Sequence, residues 1–552
     1  MGHIEVANLE FTLPGGRRLF ADTSFRVGDG AKAALVGANG TGKTTLLEIL
    51  AGVRQAKSGS AGIGGTPGVM RQFIGSINDA TTIREFLADL EPPALRTAFR
   101  AMEKAERDLH RHDHEPTQLA YAAAICEWGE LGGYETEITW DIVCSAALGL
   151  PFQEAQHREI RSLSGGEQKR LALESLLRGP SDVLLLDEPD NYLDVPGKRW
   201  LEEALRASSK TVLLVSHDRE LLARAATHIV TIEGHGAWVH GGGFSSYPEA
   251  RQRRIEVLEQ RHRDWEDEHQ RLKDLVRTLQ QQAKISSAMA AKYRATQTRL
   301  ARYEAAGPPP ERPEEQRVRM RLAGGRTGKR AIICERLELD GLTKEFDLEI
   351  QYGERIAVLG ANGTGKSHLL RLLAAGGSAG ARHDEVVHGP AVAHTGTARL
   401  GARVRPGWFA QTHVRRDLTD RSLVAILGRG DDNREGLQRG PAIGALRRYE
   451  LQAQADQTFQ QLSGGQQARF QILLLELEGA TLLLLDEPTD NLDLHSAQAL
   501  EDGLADFRGT VMAVTHDRWF ARSFDRFLIV HADGTVALSD KPYWGEESSA
   551  RV

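Results

Sequence analysis

The chain has 552 residues, of which 41% are hydrophobic and 26% are charged, and its formal net charge is −7. This composition is ordinary for a folded protein and excludes a disordered or collagen-like chain. No stretch approaches the roughly 18 apolar residues of a membrane-spanning helix, and the first residues lack a basic segment followed by an apolar one, so we expect neither a membrane segment nor a secretory signal. The three cysteines are widely spaced and show no metal-ligand pattern, which favours a cytoplasmic location.

In chain order, the first informative element is a predicted buried strand, Ala33–Val36, that leads into the sequence GANGTGKTT at 37–45. The pattern G-x-x-x-x-G-K-[ST] is a phosphate-binding loop, in which glycines let backbone N–H groups turn toward phosphates and the next helix presents its positive end. We expect the Lys43 ammonium to reach the β- and γ-phosphates and the Thr44 hydroxyl to ligate Mg²⁺. The predicted nucleotide-binding residues of this loop are Gly37, Asn39, Gly40, Gly42, Lys43, Thr44 and Thr45.

Two features follow this loop. Gln72, in the sequence MRQF, has a side-chain amide that could join the metal and water shell, and a surface glutamine is the alternative interpretation. The region around 88–135 is charge-rich and predicts a helical insertion, which is either a decorated subdomain or an arm that touches a partner.

A second predicted strand ends in a pair of acids. Val183–Leu186 is entirely apolar, as central parallel strands are, and Asp187 and Glu188 follow it directly. Ligands bind at the carboxyl ends of such strands. We therefore predict that Asp187 holds the Mg²⁺ shell and that Glu188 polarises the attacking water as a general base. His217 follows a third predicted strand and could hydrogen-bond the γ-phosphate, whereas a satisfied structural histidine is the alternative.

The second half of the chain repeats this series in the same order. GANGTGKS occupies 360–367, and in both halves the histidine follows the first acid of the pair by 30 positions. The predicted residues of the second copy are Gly360, Asn362, Gly363, Gly365, Lys366, Ser367, Gln411, Asp486, Glu487 and His516, with Ser367, Gln411 and Asp486 as the metal ligands. Alternating strands and helices predict an α/β class, with two P-loop domains at 1–246 and 331–552.

These motifs, together with LSGGEQ at 163–168 and LSGGQQ at 462–467, resemble the nucleotide-binding domains of ABC ATPases, of which LSGG[EQ] is the specific mark. The resemblance implies a monomer whose two domains pair head to tail, with each ATP and its Mg²⁺ held between the phosphate loop of one domain and the LSGG of the other. Site one would combine Lys43, Gln72, Glu188 and His217 with Ser463, Gly464 and Gly465. Site two would combine Lys366, Gln411, Glu487 and His516 with Ser164, Gly165 and Gly166. Because both glutamates are present, both sites are expected to hydrolyse ATP to ADP and phosphate.

Two departures from the ABC pattern concern the base and the loop after the glutamate. The position at which the family stacks an aromatic residue on adenine is Leu13, with Phe11 the nearest aromatic, and the second copy offers no clear counterpart. The loop after Glu188 has Asp190 where the second copy has the usual threonine, Thr489. We expect this difference to affect coupling between the sites.

The segment between the copies is basic and has a coiled-coil pattern. Residues 251–330 contain 20 Lys or Arg and 11 Asp or Glu, a net charge of +9, which leaves −16 for the rest of the chain. Apolar residues recur every seven positions at Leu258, Trp265, Leu272 and Leu279. We expect an antiparallel helical hairpin within 247–330, with a first helix from Glu249 to Gln281, a tip near 282–289 and a return helix that ends at Pro308.

The charges are sorted along this hairpin. Its distal part, 275–303, has no acid and six bases. Basic side chains of this kind contact phosphate backbones without reading sequence, so they predict RNA binding, while a solvated coiled coil and a protein anchor remain alternatives. The predicted RNA-binding residues are Arg277, Lys284, Lys292, Arg294, Arg299 and Arg302.

Two fused ABC domains joined by a basic hairpin resemble the ABC-F family. This resemblance implies a partner, the ribosome, bound at its tRNA exit site through contacts of the hairpin with rRNA and tRNA. It also implies a role in translation, either relief of stalling or protection of the ribosome against macrolides, lincosamides, streptogramins or pleuromutilins, and the long hairpin favours protection. The rival hypotheses are the ATP-binding subunit of an ABC transporter and an ABC-type DNA-repair ATPase.

Overall fold

The structure, a computed structural model, describes residues 2–283, 287–310, 318–379, 384, 387, 389–410, 415–418, 420–430 and 434–544. Within these ranges, no helix combines the length and the apolar character that crossing a membrane requires.

The strands and helices of the first half alternate after an initial hairpin. The strands are β1 (His3–Thr12), β2 (Arg18–Val27), β3 (Lys32–Val36), β4 (Ser58–Gly64), β5 (Pro67–Met70), β6 (Val183–Asp187), β7 (Thr211–Val215), β8 (His228–Glu233) and β9 (Gly236–His240). The helices are α1 (Lys43–Leu50), α2 (Ile83–Leu90), α3 (Pro93–Arg111), α4 (Glu115–Glu130), α5 (Gly133–Leu148), α6 (Phe152–Ala155), α7 (Gly165–Arg178), α8 (Val195–Ala207) and α9 (Arg219–Ala225).

The rest of the chain continues with two long helices and a second series. The long helices are α10 (Tyr247–Ala283) and α11 (Ser287–Ala306). The later strands are β10 (Arg330–Leu339), β11 (Phe346–Gln351), β12 (Arg355–Gly360), β13 (His394–Leu400), β14 (Pro406–Phe409), β15 (Leu482–Asp486), β16 (Thr510–Val514), β17 (Arg526–Val530) and β18 (Val536–Ser539). The later helices are α12 (Lys366–Ala374), α13 (Leu423–Arg429), α14 (Arg439–Arg448), α15 (Gly464–Glu478) and α16 (Leu494–Asp506).

The two halves have the same sheet topology. Each contains a six-stranded sheet, in the orders β5-β6-β7-β3-β8-β9 and β14-β15-β16-β12-β17-β18, and a three-stranded sheet, in the orders β2-β1-β4 and β11-β10-β13. In the six-stranded sheets all neighbouring strands are parallel except the last pair. The predicted α/β class with two P-loop domains is therefore confirmed.

This topology brings the motifs to one edge of each sheet. Strands β3, β6 and β7 are neighbours, and their carboxyl ends lead into the phosphate loop, the acid pair and His217 respectively. The apolar run of β6 is fully buried because helices cover one face of the sheet, while α1 and the three-stranded sheet cover the other. Functional side chains that are far apart in sequence are therefore close together at the carboxyl edge of the sheet, because each follows the end of its own strand.

Helices α3 and α4 lie within the predicted insertion at 88–135 and have no counterpart among the described residues of the second half. Aromatic rings pack these helices against each other and against α5. The ring centroid of Phe99 in α3 lies 5.7 Å from that of Trp128 in α4 and 5.8 Å from that of Trp140 in α5. The Trp140 indole N–H donates to the Glu91 carboxylate at 3.0 Å, so the polar atom of this buried ring has a partner. Burial raises the pKa of Glu91.

The helices between the domains form the predicted antiparallel hairpin. Leu258, Leu272 and Leu279 are buried, and the Trp265 ring stacks on that of Tyr303 at a centroid distance of 5.5 Å. Helix α10 begins two residues before the predicted start and ends two residues after the predicted end. Lys284, near the predicted tip, lies outside the described residues.

The base of the hairpin is fixed to the first domain. The Tyr247 ring, at the start of α10, stacks on that of Trp238 in β9 at 5.8 Å. One turn further along, the Arg251 guanidinium pairs with the Glu233 carboxylate at 3.2 Å. The first helix of the hairpin therefore continues directly from the sheet of the first domain.

Candidate functional site

The two phosphate loops have the same geometry. Gly42 and Gly365 precede α1 and α12 with φ angles of 99° and 95°, a left-handed conformation that glycine adopts without strain. The Lys43 ammonium donates to the backbone carbonyls of Gly37 and Ala38 at 2.8 and 3.1 Å. The Lys366 ammonium does the same in the second copy, at 2.9 and 2.7 Å from the carbonyls of Gly360 and Ala361. Burial lowers the pKa of both lysines, and neighbouring carboxylates oppose this shift.

Each loop places a hydroxyl beside the first acid of its pair. The Ser367 hydroxyl donates to Asp486 Oδ1 at 3.0 Å, and Thr44 lies beside Asp187, where it opposes the rise in the pKa of that carboxyl. Burial raises the pKa of Asp187 and raises that of Asp486 to about 6. Asp187 Oδ1 is buried without a hydrogen-bond partner among the residues that the structure describes. Hydroxyl and carboxylate oxygens are the ligands that Mg²⁺ prefers, so these residues fit a magnesium ion in each copy.

The two glutamates share a strained backbone but have different partners. Glu188 and Glu487 have φ angles of 50° and 48°, a left-handed conformation that is uncommon for residues other than glycine. Glu188 Oε2 accepts hydrogen bonds from the side-chain amides of Gln72 and Asn191, both at 2.8 Å. Glu487 Oε2 accepts instead from the backbone N–H of His516 at 3.0 Å.

Their electrostatic surroundings differ accordingly. Burial and the charge of Asp187 raise the pKa of Glu188, while the Gln72 amide opposes the shift. Burial, Asp490 and Asp486 raise the pKa of Glu487 to about 8.

The histidines lie at the ends of β7 and β16 as predicted. Burial lowers the pKa of His217 to about 3, and burial also holds the pKa of His516 well below its ordinary value. Both imidazoles are therefore neutral at physiological pH, a state in which one ring nitrogen donates and the other accepts. His217 Nδ1 is buried without a partner among the described residues.

The LSGG sequences open helices α7 and α15, which we call the signature helices, and the first turn of each faces the domain interface. Ser164 and Ser463 cap α7 and α15, and the glycines that follow form the first turn of each helix. From the opposite side, the Asn39 amide donates to the carbonyl of Asn491 at 3.1 Å, and the Asn362 amide donates to that of Tyr192 at 3.2 Å. Each phosphate loop thus faces the signature helix of the other domain, which is a head-to-tail arrangement.

Two cavities lie in this interface. The first, of about 330 Å³, is lined by the first phosphate loop, Gln72 and Glu188, and by Ser463, Gly464 and Gly465 of the other domain. The second, of about 560 Å³, is lined by Ser164, Gly165 and Gly166 together with Asn362, Gly363, Glu487 and His516. It extends to Glu188 and His217, so it joins the regions of both glutamates.

The linings of the two cavities do not include every predicted residue. His217 lines the second cavity, and Lys366, Ser367 and Asp486 are not among the residues that line either one. Gln411 lies outside the described residues. Leu13 lines the first cavity as predicted, whereas Phe11 is buried in the core beneath the three-stranded sheet.

Sequence reasoning missed several residues of these cavities. Arg17 lines the first cavity, and its guanidinium donates to the carbonyl of Gly40 at 3.0 Å. Asn191, Tyr192 and Asn491 reach the interface from the loops after the glutamates. The only signal for them was their place next to the acid pairs, which does not show that these loops cross to the other domain.

The predicted RNA-binding side chains of the hairpin are exposed where the structure describes them. They are Arg277, Lys292, Arg294, Arg299 and Arg302. Arg299 also pairs with Glu268 on the facing helix at 2.9 Å, so its charge is partly compensated.

Comparison with known proteins gives a consistent result. The sequence profile of a family described as "ABC transporter" matches residues 20–191 and 343–490. The chain is 55% identical over 552 residues to an "Antibiotic resistance protein" of Mycobacteroides abscessus, covering 99% of this chain and 100% of that protein. It is 29% identical to "ABC transporter F family member 5" of Arabidopsis thaliana, with 94% and 74% of the two chains covered.

A further relative and a solved structure extend the comparison. The "Energy-dependent translational throttle protein EttA" of Mycobacterium tuberculosis is 26% identical, with 92% of this chain and 87% of that protein covered. A structure of an archaeal ribosome recycling factor, solved in complex with a ribosomal stalk protein, superimposes with a TM-score of 0.55 at 18% identity, covering 95% of this chain and 87% of that one. At this identity the structural match supports the two-domain fold alone.

Proposed function

Since the chain belongs to the ABC family of ATPases, in the F branch that carries two domains on one chain, we propose that it binds the ribosome and uses ATP to act on translation, as a protein that protects the ribosome from antibiotics. The carrying observation is the head-to-tail pairing of two complete sets of ATPase motifs around a basic hairpin. The names of two relatives, an antibiotic resistance protein and a translational throttle protein, support the choice of target.

The proposed chemistry is hydrolysis of ATP by positioned residues. In each site the backbone N–H groups of the phosphate loop and its lysine hold the β- and γ-phosphates, and the serine and glycines of the opposite signature helix close over the γ-phosphate. Mg²⁺, when bound beside Asp187 or Asp486, would neutralise charge on the phosphate oxygens. Glu188 and Glu487 orient a water molecule and accept its proton. The neutral imidazoles of the histidines donate a hydrogen bond to the γ-phosphate.

ATP acts in this proposal as the ligand that holds the domains together. Because residues of both domains complete each site, ATP binds the closed arrangement more tightly than an open one and shifts the population toward it. Hydrolysis cleaves the γ-phosphate from the nucleotide. The product ADP no longer favours the closed arrangement, so the domains separate.

The hairpin provides the proposed contact with the ribosome. Arg277, Lys292, Arg294 and Arg302 are exposed on its distal part, where acidic residues are absent from 275–303. Such contacts release counterions from RNA, so binding is expected to weaken steeply as the salt concentration rises.

Co-sedimentation of the double variant Glu188→Gln/Glu487→Gln with 70S ribosomes tests this proposal. Because both bases are removed, ATP should hold the chain closed, and we expect salt-sensitive pelleting with ATP and little pelleting without it. A second variant in this background, with Arg277, Lys292, Arg294 and Arg302 changed to Gln, should lose most of the binding. The matched control changes four exposed arginines outside the hairpin, Arg18, Arg26, Arg54 and Arg336, to Gln and should retain it.

Other outcomes of the same experiment contradict the proposal. Sedimentation with membranes instead of ribosomes would favour the transporter-subunit hypothesis. For the resistance role, a susceptible bacterium that expresses the chain should grow at macrolide, lincosamide or streptogramin concentrations that stop cells expressing Glu188→Gln/Glu487→Gln. Ribosome binding without any gain in drug tolerance would instead favour relief of stalling.

A further inference from the structure

A single lysine occupies the centre of the domain interface. Lys198 lies in the first turns of α8 and is buried, with 8% of its surface exposed. It lines the second cavity, which also reaches Glu188 and Glu487. Neither a phosphate loop nor a signature helix contributes it, and the ATPase motifs do not account for a buried cation at this place.

The Lys198 ammonium connects two loops, one from each domain, that carry His217 and His516. We call them the histidine loops. Its Nζ lies 3.0 Å from Asp218 Oδ2, in the residue after His217. It also donates to the backbone carbonyl of His516, in the opposite domain, at 3.4 Å. One side chain therefore fixes the position of one loop relative to the other, and each loop carries the histidine of its own nucleotide site.

Four carboxylates from the two domains surround this ammonium. Burial opposes its charge, but Asp218, Asp190, Asp490 and Asp517 outweigh burial and raise the pKa of Lys198. Burial and the charge of Asp218 raise the pKa of Asp190 to about 6, and burial raises that of Asp490 to about 6, whereas Lys198 favours the charged form of both. Closing the interface gathers like charges from both domains, and Lys198 offsets their repulsion.

The arrangement around this centre is nearly two-fold symmetric, but the lysine is not. Asp194 caps α8 by accepting from the N–H of Gly197 at 3.0 Å, and Asp493 caps α16 by accepting from that of Ser496 at 2.8 Å. Counted from these caps, Lys198 corresponds to Ala497. The chain supplies the central cation from the first domain alone.

The ion pairs farther from the centre do follow the two-fold relation. The Arg219 guanidinium pairs with Glu501 at 3.1 Å, and the Arg518 guanidinium pairs with Glu202. Glu202 and Glu501 occupy equivalent positions, as do Arg219 and Arg518. The asymmetry at Lys198 is therefore not shared by these outer ion pairs, which both copies keep.

We infer that Lys198 is a positioning residue that couples closure of the two ATP sites, because its ammonium holds both histidine loops against the carboxylates that would otherwise drive the domains apart. The inference rests on the proposed ATPase function and adds the residue that links one site to the other. A chain without this cation should still bind ATP at either phosphate loop, but filling one site should no longer assist the other.

The test compares Lys198→Met with Lys198→Arg in the full chain, using the dependence of hydrolysis on ATP concentration. The wild type should be cooperative, since coupling free energies between sites typically amount to roughly 5–150-fold in affinity. Lys198→Met should lower kcat/KM by about tenfold and bring the Hill coefficient to about one. Lys198→Arg, which keeps the charge, should restore cooperativity. The control Arg206→Met removes an exposed cation from the same helix and should behave as the wild type.

The outcomes separate the two proposals. A wild type without ATPase activity contradicts the proposed function. An active wild type with a Hill coefficient of about one, or a Lys198→Met variant as cooperative as the wild type, overturns the role of Lys198 alone. A purely structural role would lower kcat and the melting temperature and leave the Hill coefficient unchanged. If Lys198→Met does not fold, Lys198→Gln, which retains a donor for the His516 carbonyl, is measured in its place.

Discussion

The two nucleotide sites contain the same motifs, yet the residue three positions after the glutamate differs between them. In site one the carboxylate of Glu188 receives hydrogen bonds from two neutral amides, those of Gln72 and Asn191. In site two the residue equivalent to Asn191 is Asp490, which adds a negative charge beside Glu487. Replacing an amide by a carboxylate at this position therefore contributes to the raised pKa of Glu487, three residues earlier in the chain.

The comparison shows how a duplicated domain can become functionally unequal while its motifs stay intact. Burial and the preceding aspartate raise the pKa of both glutamates. At Glu188 the amide of Gln72 opposes this shift, whereas at Glu487 the second carboxylate, Asp490, adds to it. With a pKa of about 8, the Glu487 carboxyl is mostly protonated at pH 7, so only a minor fraction of it can accept a proton from water. Site one is therefore expected to carry most of the turnover at neutral pH.

Removing each base separately gives the largest expected effect. The double variant Glu188→Gln/Glu487→Gln should lose roughly 10²–10⁴-fold in turnover. At pH 7, Glu188→Gln should lower turnover by about tenfold and Glu487→Gln by less than about twofold, because only about a tenth of a carboxyl with a pKa near 8 is ionised there. Phosphate release measured at pH 7 and pH 9 checks this, since the single variants should become alike at the higher pH. Equal losses at pH 7 would contradict the inequality of the sites.

The signature glycines provide a second, smaller contrast. A Cβ atom at Gly465 would lie 2.1 Å from Nδ2 of Asn39, whereas one at Gly166 would have its nearest neighbour, the Tyr192 carbonyl, at 3.0 Å and Asn362 Nδ2 at 3.9 Å. Overpacking of this kind typically costs about 1–3 kcal/mol. Gly465→Ala should therefore raise the ATP concentration needed for closure several-fold more than Gly166→Ala does. Nucleotide titrations of both variants in the Glu188→Gln/Glu487→Gln background measure the difference, and equal shifts would count against the closed geometry.

Exchanging the two loop residues should give the smallest effect. Asp490→Asn removes the charge beside Glu487, so the pKa of Glu487 should fall by about one unit and site-two turnover at pH 7 should rise about fivefold. The pH–rate profile in a Glu188→Gln background measures this, with the rise in rate moving to lower pH. The mirrored change, Asn191→Asp in a Glu487→Gln background, should move the profile of site one to higher pH. Profiles that do not respond to either change would show that these neighbours do not set the two pKa values.

Much of the fold follows from local sequence patterns. The apolar runs before Lys43 and Glu188 predicted central strands, and both are fully buried strands in the structure. The heptad spacing predicted the hairpin because the burial of Leu258, Leu272 and Leu279 repeats with the helical period. The predicted ends of α10 were two residues short at each end, since helix termini depend on contacts such as the stacking of Tyr247 on Trp238.

The sequence could not show how the domains pair in detail. Asn39 donates from its backbone N–H to Asp493 at 3.1 Å, a contact between residues 454 positions apart. Tyr192 and Asn491 have left-handed φ angles of 68° and 65°, which aim their loops across the interface. Lys198 looks like an ordinary surface residue of a helix until the second domain covers it. Such features arise from tertiary contacts that no local pattern records.

The firm attachment of α10 to the first domain has a mechanical consequence. A helix of 37 residues that starts at Tyr247 is a rod of about 55 Å. A turn of the first domain by about 10° would move the far end of such a rod by roughly 10 Å. The hairpin would therefore convert a small rotation of the first domain into a large displacement of the basic side chains at its far end.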